Sequence, residues 1–166
     1  MQRICNPKIV SSILAGGTKH TYELLMDFIF DIDSTLSDDS HRIHYLKQEP
    51  KDWDSYYSYL IHDSAIEPSV EALKSLYNEG HKIILCTGRP EQYRDLTMQW
   101  LKQHNILIHD LFMRLPADGR VRNAEAKRIM IERIKLAGYN PVAVYEDNPY
   151  SVEMWKSQGL TVYHVK

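Results

Sequence analysis

The feature that most constrains the fold is a regular alternation of short apolar segments and amphipathic helices, which runs from Met26 to the C-terminus. The predicted strands read DFIFDI, KIILCTG, LIHDLFMR, PVAVYEDN and LTVYHV. A predicted helix precedes each strand after the first, at residues 67–82, 90–105, 123–140 and 149–159. Such an order produces right-handed crossovers and a parallel sheet. The predicted class is therefore α/β, a three-layer, Rossmann-like parallel sheet with helices on both faces.

Length and charge limit the classes of function. A chain of 166 residues is expected to form one domain with a substantial core. The 20 Lys and Arg residues stand against 22 Asp and Glu residues, for a formal net charge of −2. This balance argues against a protein that coats nucleic acid by charge alone, although it is compatible with a local basic pocket.

Other features predict where the protein works and where its domain begins. The two cysteines, Cys5 and Cys86, are predicted to be unpaired, which favours a reducing, cytoplasmic location. The sequence contains no apolar run of membrane-spanning length, so no membrane association is expected. Residues 1–25 do not continue the alternating pattern and are predicted to be a flexible leader or an overextended start. Residues 26–166 are the predicted functional domain, with a small cap or flap at 37–67.

Polar residues follow the predicted strands at the point where each strand ends. They are Asp31 and Asp33 after the first strand, Thr87-Gly88-Arg89 after the second, and Glu146-Asp147-Asn148 after the strand VAVYE. Lys127 lies near the start of the helix before that last strand. Because the carboxyl ends of parallel strands share one edge of a sheet, we expect these groups to converge there.

Converging acids, a hydroxyl and an ammonium suit the chemistry of a phosphate ester. A divalent cation such as magnesium would offset the repulsion between the acids. One acid could attack phosphorus to form an aspartyl-phosphate. The second acid, kept partly protonated by its neighbour, could protonate the leaving alcohol. Each motif alone has a simpler interpretation, since Asp and Thr after a strand commonly cap a helix or turn.

The motifs DIDST, CTGR, AEAK and YEDN, spread from Met26 to Asn148, together resemble the haloacid-dehalogenase-like phosphohydrolase superfamily. The resemblance implies a phosphatase in which Asp31 is the nucleophile and Asp33 the general acid and base. It implies that Thr87 and Lys127 contact the phosphoryl oxygens. It also implies a Mg2+ site, for which the expected set is Asp31, Asp33 through its carbonyl, Asp147 and Glu146.

Within the superfamily, the chain is most similar to the 3′-phosphatase domain of phage polynucleotide kinase-phosphatase. The similarity includes the C-terminal VEMWKSQGLTVYHV and an arginine eleven residues after the nucleophile. The expected substrate-binding residues are Thr35, Arg42, Gly88, Arg89 and Arg114. Ser34, Glu146 and Asn123 depart from the family's Gly, Asp and Asp. The resemblance implies removal of 3′-phosphates from polynucleotide ends, and since the sequence has no P-loop, a stand-alone phosphatase is expected.

Two segments could select the substrate. In KDWDSYYSYLIHD, the residues Trp53, Tyr56, Tyr57 and Leu60 repeat at helical spacing, so they either pack onto the body or stack on a nucleobase. The loop containing Arg114, Arg120 and Arg122 either holds substrate phosphates or is solvated.

Two alternatives to the polynucleotide phosphatase remain open. The first is a 5′(3′)-deoxyribonucleotidase or other nucleoside monophosphate phosphatase with the same mechanism. The second, more remote, is a phospho-receiver signalling domain, whose acids, Thr and Lys occur in a different order along the chain. The expected partner is a phosphorylated nucleic-acid end or nucleotide, and no obligate protein partner is evident.

Overall fold

The computed structural model describes residues 24–166, together with the backbone of two short antiparallel strands, β1 (Val10–Ser11) and β2 (Tyr22–Glu23). The predicted leader and Cys5 therefore lie almost entirely outside the described residues.

The remaining elements follow in the predicted order. The strands are β3 (Asp27–Phe30), β4 (Ser37–Asp38), β5 (Ser64–Ala65), β6 (Lys82–Pro90), β7 (Asp110–Arg114), β8 (Pro141–Glu146) and β9 (Thr161–His164). The helices are α1 (Trp53–Ser58), α2 (Glu67–Asn78), α3 (Arg94–Gln103), α4 (Asn123–Leu136) and α5 (Pro149–Ser157). Short 3₁₀ turns span Ser40–Leu46, Leu60–His62, Glu91–Tyr93 and Pro116–Asp118.

Five strands form one parallel sheet in the order β7-β6-β3-β8-β9. The chain builds the sheet outward from β3 on one side, through β6 and β7, and then returns to add β8 and β9 on the other. The carboxyl end of β3 is therefore a topological switch point, where open α/β sheets form their ligand crevice. The predicted α/β class is confirmed.

Side chains of the central strand alternate between two cores. Phe28 and Phe30 face the core that includes α2 and α3, whereas Ile29 faces the core that includes α4 and α5. All three are fully buried, as expected for a strand covered on both faces. The sheet thus has helices on each side, and its carboxyl edge is the part left open to form a site.

The predicted flap is a compact insertion whose ends are joined by antiparallel pairing of β4 with β5. Between these strands lie the 3₁₀ turn Ser40–Leu46, helix α1 and the turn Leu60–His62. Leu36 and Leu60 are fully buried in the same core as α2 and α3. The flap is therefore packed against the body of the domain on one face of the sheet.

Three further sequence expectations can be compared with the structure. The helix predicted to begin at Pro90 begins at Arg94, because β6 continues through Pro90 and a 3₁₀ turn follows it. Cys86 is a free, buried thiol, as predicted. Among the described residues, no helix has the length and apolar character needed to cross a bilayer.

Candidate active site

The sequence after β3 makes a tight turn that presents both acids. The Asp31 amide donates to the Tyr145 carbonyl at 3.0 Å, and the Leu36 amide donates to the Ile32 carbonyl at 2.8 Å. Ser34 has a φ of 60°, a region that favours glycine. This backbone conformation accounts for the Gly that the resemblance leads one to expect at this position. The Ser34 hydroxyl compensates in part by donating to Asp39 at 2.8 Å.

The predicted nucleophile, Asp31, lies against the predicted phosphate-binding lysine. Lys127 Nζ lies 2.8 Å from Asp31 Oδ2 and 2.7 Å from Glu146 Oε2, and all three residues are buried. Burial raises the pKa of Asp31 well above its usual value; Lys127 opposes this effect, whereas Glu146 adds to it. Burial alone would lower the pKa of Lys127, but the charges of Asp31 and Glu146 raise it above its ordinary value. Lys127 is therefore a buried ammonium.

Glu146 is held by donors from three directions. Its Oε2 accepts from Lys127 Nζ at 2.7 Å and from Trp155 Nε1 at 3.0 Å, and its Oε1 accepts from the Asn148 amide at 3.2 Å. Glu146 is close enough to Asp31 and Asp147 to share a cation with them. Its hydrogen bond to Lys127 also positions that ammonium, and its role as a metal ligand stays a prediction.

An acidic cluster at this edge fits a divalent cation. One carboxylate oxygen from each of Asp31, Glu146 and Asp147 lies within 4.8 Å of the others. Burial raises the pKa of Asp147, and the charge of Glu146 raises it further. Among the described residues, Asp31 and Glu146 contact one ammonium, that of Lys127, and Asp147 forms no ion pair, so these carboxylates outnumber the cations that contact them. Carboxylate oxygens are the ligands that Mg2+ prefers, so the donor set fits that ion.

Thr35 contacts a carboxylate of this cluster. Its hydroxyl donates to Asp147 Oδ1 at 3.2 Å, and its side chain is fully buried. The sequence predicted that Thr35 would bind substrate. Its observed contact orients a candidate metal ligand, the kind of support that outer hydrogen bonds give to metal sites, and its role in substrate binding stays a prediction.

Asp33 lies in a different network, made of arginines. Arg42 Nη2 donates to Asp33 Oδ1, and Arg89 Nη2 donates to the same oxygen at 2.7 Å. Asp63 completes the network, since its Oδ2 accepts from Arg42 Nη2 at 2.7 Å and from Arg89 Nη2 at 3.2 Å. Two guanidinium groups are thus balanced by two carboxylates.

The network determines the protonation state of Asp33. Burial alone would raise the pKa of Asp33, but the charges and hydrogen bonds of Arg89 and Arg42 outweigh it and lower the pKa to about 2. The expectation that a neighbouring acid keeps this residue partly protonated is therefore wrong for the site as it stands. The nearest groups to Asp33 are cations, and they favour its ionised form.

The two arginines are buried beneath the site. Both guanidinium groups are fully buried, and Arg42 also lies 4.1 Å from the centre of the Tyr56 ring. The prediction that they bind substrate stays a prediction, while the contacts they make identify them as positioning residues for Asp33. Asp63 joins them at the end of the flap, and its carbonyl accepts from Trp100 Nε1 at 2.8 Å.

Thr87 and Gly88 lie at the carboxyl end of β6, next to the start of α4. Thr87 is fully buried, and its hydroxyl accepts from the Arg89 amide at 3.3 Å. A Cβ on Gly88 would lie 2.3 Å from Asn123 Oδ1, so no larger residue fits without a shift. That Asn123 oxygen is buried without a hydrogen-bond partner among the described residues. Glycine at position 88 therefore permits close approach of β6 and α4.

Part of the site opens into a cleft of about 1890 Å³. Asp31, Asp33 and Asp147 line it together with Gly88 and Asn123. The flap and the loop after β6 contribute aromatic side chains, namely Trp53, Tyr56, Tyr57 and Tyr93. Basic side chains also line it, namely Lys51, Arg114, Arg120, Arg122 and Arg128. Arg114 Nη1 donates to the Val121 carbonyl at 3.1 Å and so fastens the basic loop.

Some residues of the site were missed by sequence reasoning. Asp63 and Trp155 complete the two charge networks, and Tyr93 adds a ring to the cleft. None of them belongs to a motif at a strand end. Asp63 follows an aromatic helix and Trp155 lies in the apolar stripe of α5, so no local signal marked either as part of the site.

Solved structures with a similar fold include phosphatases. Two structures of a Pnkp1/Rnl/Hen1 complex, one described as an RNA repair complex, each match with a TM-score of 0.70 and 29% identity over 85% of this chain. The match covers 45% and 42% of those chains, so this chain spans less than half of their length. No curated protein matches the sequence significantly.

More distant structures share the fold. The Bacillus anthracis class C acid phosphatase with tungstate bound is 15% identical, with a TM-score of 0.60 over 86% of this chain and 68% of that one. A haloacid dehalogenase-like family hydrolase from Streptococcus pneumoniae is 12% identical, with a TM-score of 0.59 over 84% of each chain.

The family described as the polynucleotide kinase PNKP phosphatase domain matches residues 26–166, which contain every motif and every acid described above. This match leaves the receiver-domain alternative without support. The chain therefore belongs to the PNKP phosphatase domain family, and it is a phosphoric monoester hydrolase of the haloacid-dehalogenase-like type.

Proposed function

We propose that this protein is a magnesium-dependent phosphatase that removes 3′-phosphates from polynucleotide ends through an aspartyl-phosphate. One observation carries the proposal. Asp31 is buried against Lys127 in a cluster of three carboxylates, while Asp33, two residues later, lines the same cleft in a separate network. The proposed nucleophile, a candidate site for a divalent cation and the proposed proton carrier thus lie at one cleft.

In the first step, an Asp31 oxygen bonds to phosphorus and the bond to the leaving oxygen breaks. Asp33 supplies a proton to that oxygen; because its pKa is low in the free site, Asp33 first takes this proton from solvent water when the substrate binds. In the second step, water attacks the phosphorus of the aspartyl-phosphate, Asp33 takes a proton from the water, and the bond to Asp31 breaks. Inorganic phosphate leaves, Asp31 is again a carboxylate, and Asp33 returns its proton to solvent.

The remaining groups stabilise negative charge on the transferred phosphoryl group. The Lys127 ammonium and the Thr87 hydroxyl are the protein donors expected to contact its oxygens. A magnesium ion bound by Asp31, Asp147 and the Asp33 carbonyl would add Lewis-acid stabilisation. Glu146 and Thr35 orient this apparatus through their bonds to Lys127 and Asp147.

The lining of the cleft supports a nucleic-acid substrate. Aromatic rings can stack on bases, and the arginines of the loop after β7 can contact phosphates. The solved relatives with 29% identity belong to a complex described as acting in RNA repair. A cleft lined in this way suits a strand end, which extends beyond the site.

The test is a comparison of phosphate release in the presence of Mg2+ from a 3′-phosphorylated oligonucleotide, a matched 5′-phosphorylated oligonucleotide and deoxynucleoside monophosphates. We expect the 3′-phosphorylated strand to have the highest kcat/KM. Asp31→Asn is the control and should abolish release. Turnover of monophosphates alone would overturn the polynucleotide assignment in favour of a nucleotidase, and an unimpaired Asp31→Asn would refute the nucleophile.

Two other expectations stay predictions. The cytoplasmic location rests on cysteine usage, and the absence of an obligate protein partner rests on sequence alone. The relatives in the Pnkp1/Rnl/Hen1 complex do act within an assembly, so the oligomeric state of this chain should be measured by light scattering before kinetics are interpreted.

A further inference from the structure

Three aromatic rings of the cleft form a connected row, which we call the aromatic ladder. Trp53 and Tyr57 have ring centroids 5.9 Å apart with planes inclined by 20°, and Tyr57 lies 5.1 Å from Tyr93. All three rings line the cleft that contains Asp31 and Asp33.

Packing of the flap does not account for Trp53. On the same side of the flap helix, Tyr56 is 6% exposed and Leu60 is fully buried, so these residues attach the flap to the body. Trp53 is 48% exposed, although it is the largest apolar side chain of the helix. A tryptophan that keeps half its surface open inside a cleft is available to a ligand.

The ladder is fixed in place before any ligand arrives. The Tyr93 hydroxyl donates to Asp54 Oδ1 at 3.0 Å, which ties the loop after β6 to the flap. Asp52 caps the flap helix by accepting from the Ser55 amide at 2.9 Å. Rings held in this way lose little conformational entropy when a flat ligand stacks on them.

The ladder lines the same cleft as Asp33, the proposed proton carrier. In the proposed function, on which this inference rests, Asp33 hands a proton to the leaving oxygen. The Tyr57 ring lies 5.0 Å from the Tyr56 ring, Tyr56 lies 4.1 Å from the Arg42 guanidinium, and Arg42 donates to Asp33. A group attached to a leaving oxygen beside Asp33 therefore lies in the part of the cleft that the ladder lines.

We propose that the aromatic ladder, Trp53 above all, stacks on the base of the leaving nucleoside and makes that base a determinant of substrate choice. Every base has a flat π-face, so such a subsite accepts any sequence. Lys51 Nζ lies 5.9 Å from the centre of the Trp53 ring, where it can meet the next phosphate of the strand. The subsite thus recognises a nucleoside, whereas the acids and Lys127 recognise the phosphoryl group.

The test uses two oligonucleotides with the same 3′-phosphate, one ending in an ordinary nucleotide and the other in a tetrahydrofuran abasic residue. The wild type should have a kcat/KM about 5- to 150-fold higher for the strand with a terminal base, the range expected for one stacked base. Trp53→Ala should bring this ratio close to one, chiefly by lowering kcat/KM for the strand with a base. Trp53→Phe, which keeps a ring, should retain part of the preference.

Tyr59→Ala is the matched control, because Tyr59 is a similarly exposed flap aromatic, at 46%, that does not line the cleft. It should keep the wild-type ratio. Equal wild-type rates on the two strands would overturn the subsite while leaving the proposed function intact. A Trp53→Ala defect of equal size on both strands would also overturn it, since that result indicates a structural role. Failure to release phosphate from either strand would refute the proposed function itself.

Discussion

Asp31 and Asp33 are the same residue type, two positions apart, yet they lie in opposite electrostatic settings. Asp31 has acids as its near neighbours and shares one ammonium with Glu146, and burial raises its pKa well above normal. Asp33 has two guanidinium groups as its near neighbours, which outweigh burial and lower its pKa to about 2. Neighbouring charges and burial, rather than position in a motif, therefore give paired carboxylates different roles.

The two networks also differ in how completely they are balanced. Around Asp33, the carboxylate of Asp63 provides the second negative charge for the two arginines. Around Asp31, the described residues leave the carboxylates in excess over their one ammonium. The arginine network around Asp33 therefore supports the site, whereas the carboxylate cluster around Asp31 is suited to bind a cation.

The largest effect is expected from Lys127→Met, which removes the ammonium that Asp31 and Glu146 share. Loss of this donor should lower kcat by about a thousandfold. The carboxylates it leaves without a buried partner should lower the free energy of unfolding by about 3 kcal/mol or more. Phosphate release measures the change in kcat, and urea denaturation measures the change in the free energy of unfolding.

Lys135→Met is the control. It removes an exposed ion pair with Glu132 on the same helix and should change kcat and the free energy of unfolding only slightly. Wild-type kcat in Lys127→Met would contradict a role in charge stabilisation.

Removing a carboxylate from the balanced side with Asp63→Asn should destabilise the fold by about 3 kcal/mol, since Arg42 and Arg89 would then share one carboxylate in a buried setting. Urea denaturation measures this change, and kcat should fall because Asp33 loses its fixed orientation. Asp95→Asn, on α3, provides a comparison outside the network. If both variants unfold at the same urea concentration as the wild type, the network does not hold the flap.

The roles of the paired acids can be separated with Asp33→Asn. Turnover should fall by about a hundredfold or more, because the proton carrier is lost. The half-saturating Mg2+ concentration should stay near the wild-type value, because the side chain of Asp33 faces the arginines and only its carbonyl is expected at the metal. A large rise in that concentration would mean that the Asp33 carboxylate is a metal ligand.

The smallest effect is expected from Trp155→Phe, which tests whether Glu146 binds the metal. Trp155→Phe keeps an aromatic ring in the core but removes one of the donors to Glu146 Oε2. The loss of one hydrogen bond to a charged acceptor should cost about 1.5 kcal/mol in the free energy of unfolding. We expect a modest fall in kcat without a change in the Mg2+ requirement. A marked change in that requirement would instead place Glu146 among the metal ligands.

Much of this site follows from strand polarity. The sequence predicts a parallel sheet, and a parallel sheet must bring the carboxyl ends of β3, β6 and β8 to one edge, so Asp31, Thr87 and Asp147 were predictable as neighbours. The arginine network was not predictable in its geometry. Arg89 on β6 reaches Asp63 at the end of the flap through a long side chain. The spacing of residues along the chain does not indicate which carboxylate a buried guanidinium contacts.

The same limit explains the error over Asp33. Spacing along a strand indicated that two acids would be close, and repulsion between close acids suggested a shared proton. In the structure, Arg42 from the flap and Arg89 from β6 both contact Asp33, and their charges reverse the direction of the pKa change. Charge state depends on contacts across the whole fold, whereas sequence patterns report mainly local geometry.

Asp63 also has a consequence for how substrates enter. Through Asp63 and Arg42 the flap is fastened to the body by buried charges, and Trp100 adds a further bond from α3. Moving the flap away from the body would separate these buried charges from their partners, which costs free energy. We therefore expect the flap to keep its position. A flap held in place by these contacts would keep the mouth of the cleft at a constant width, which suits the proposed substrate, the end of a strand.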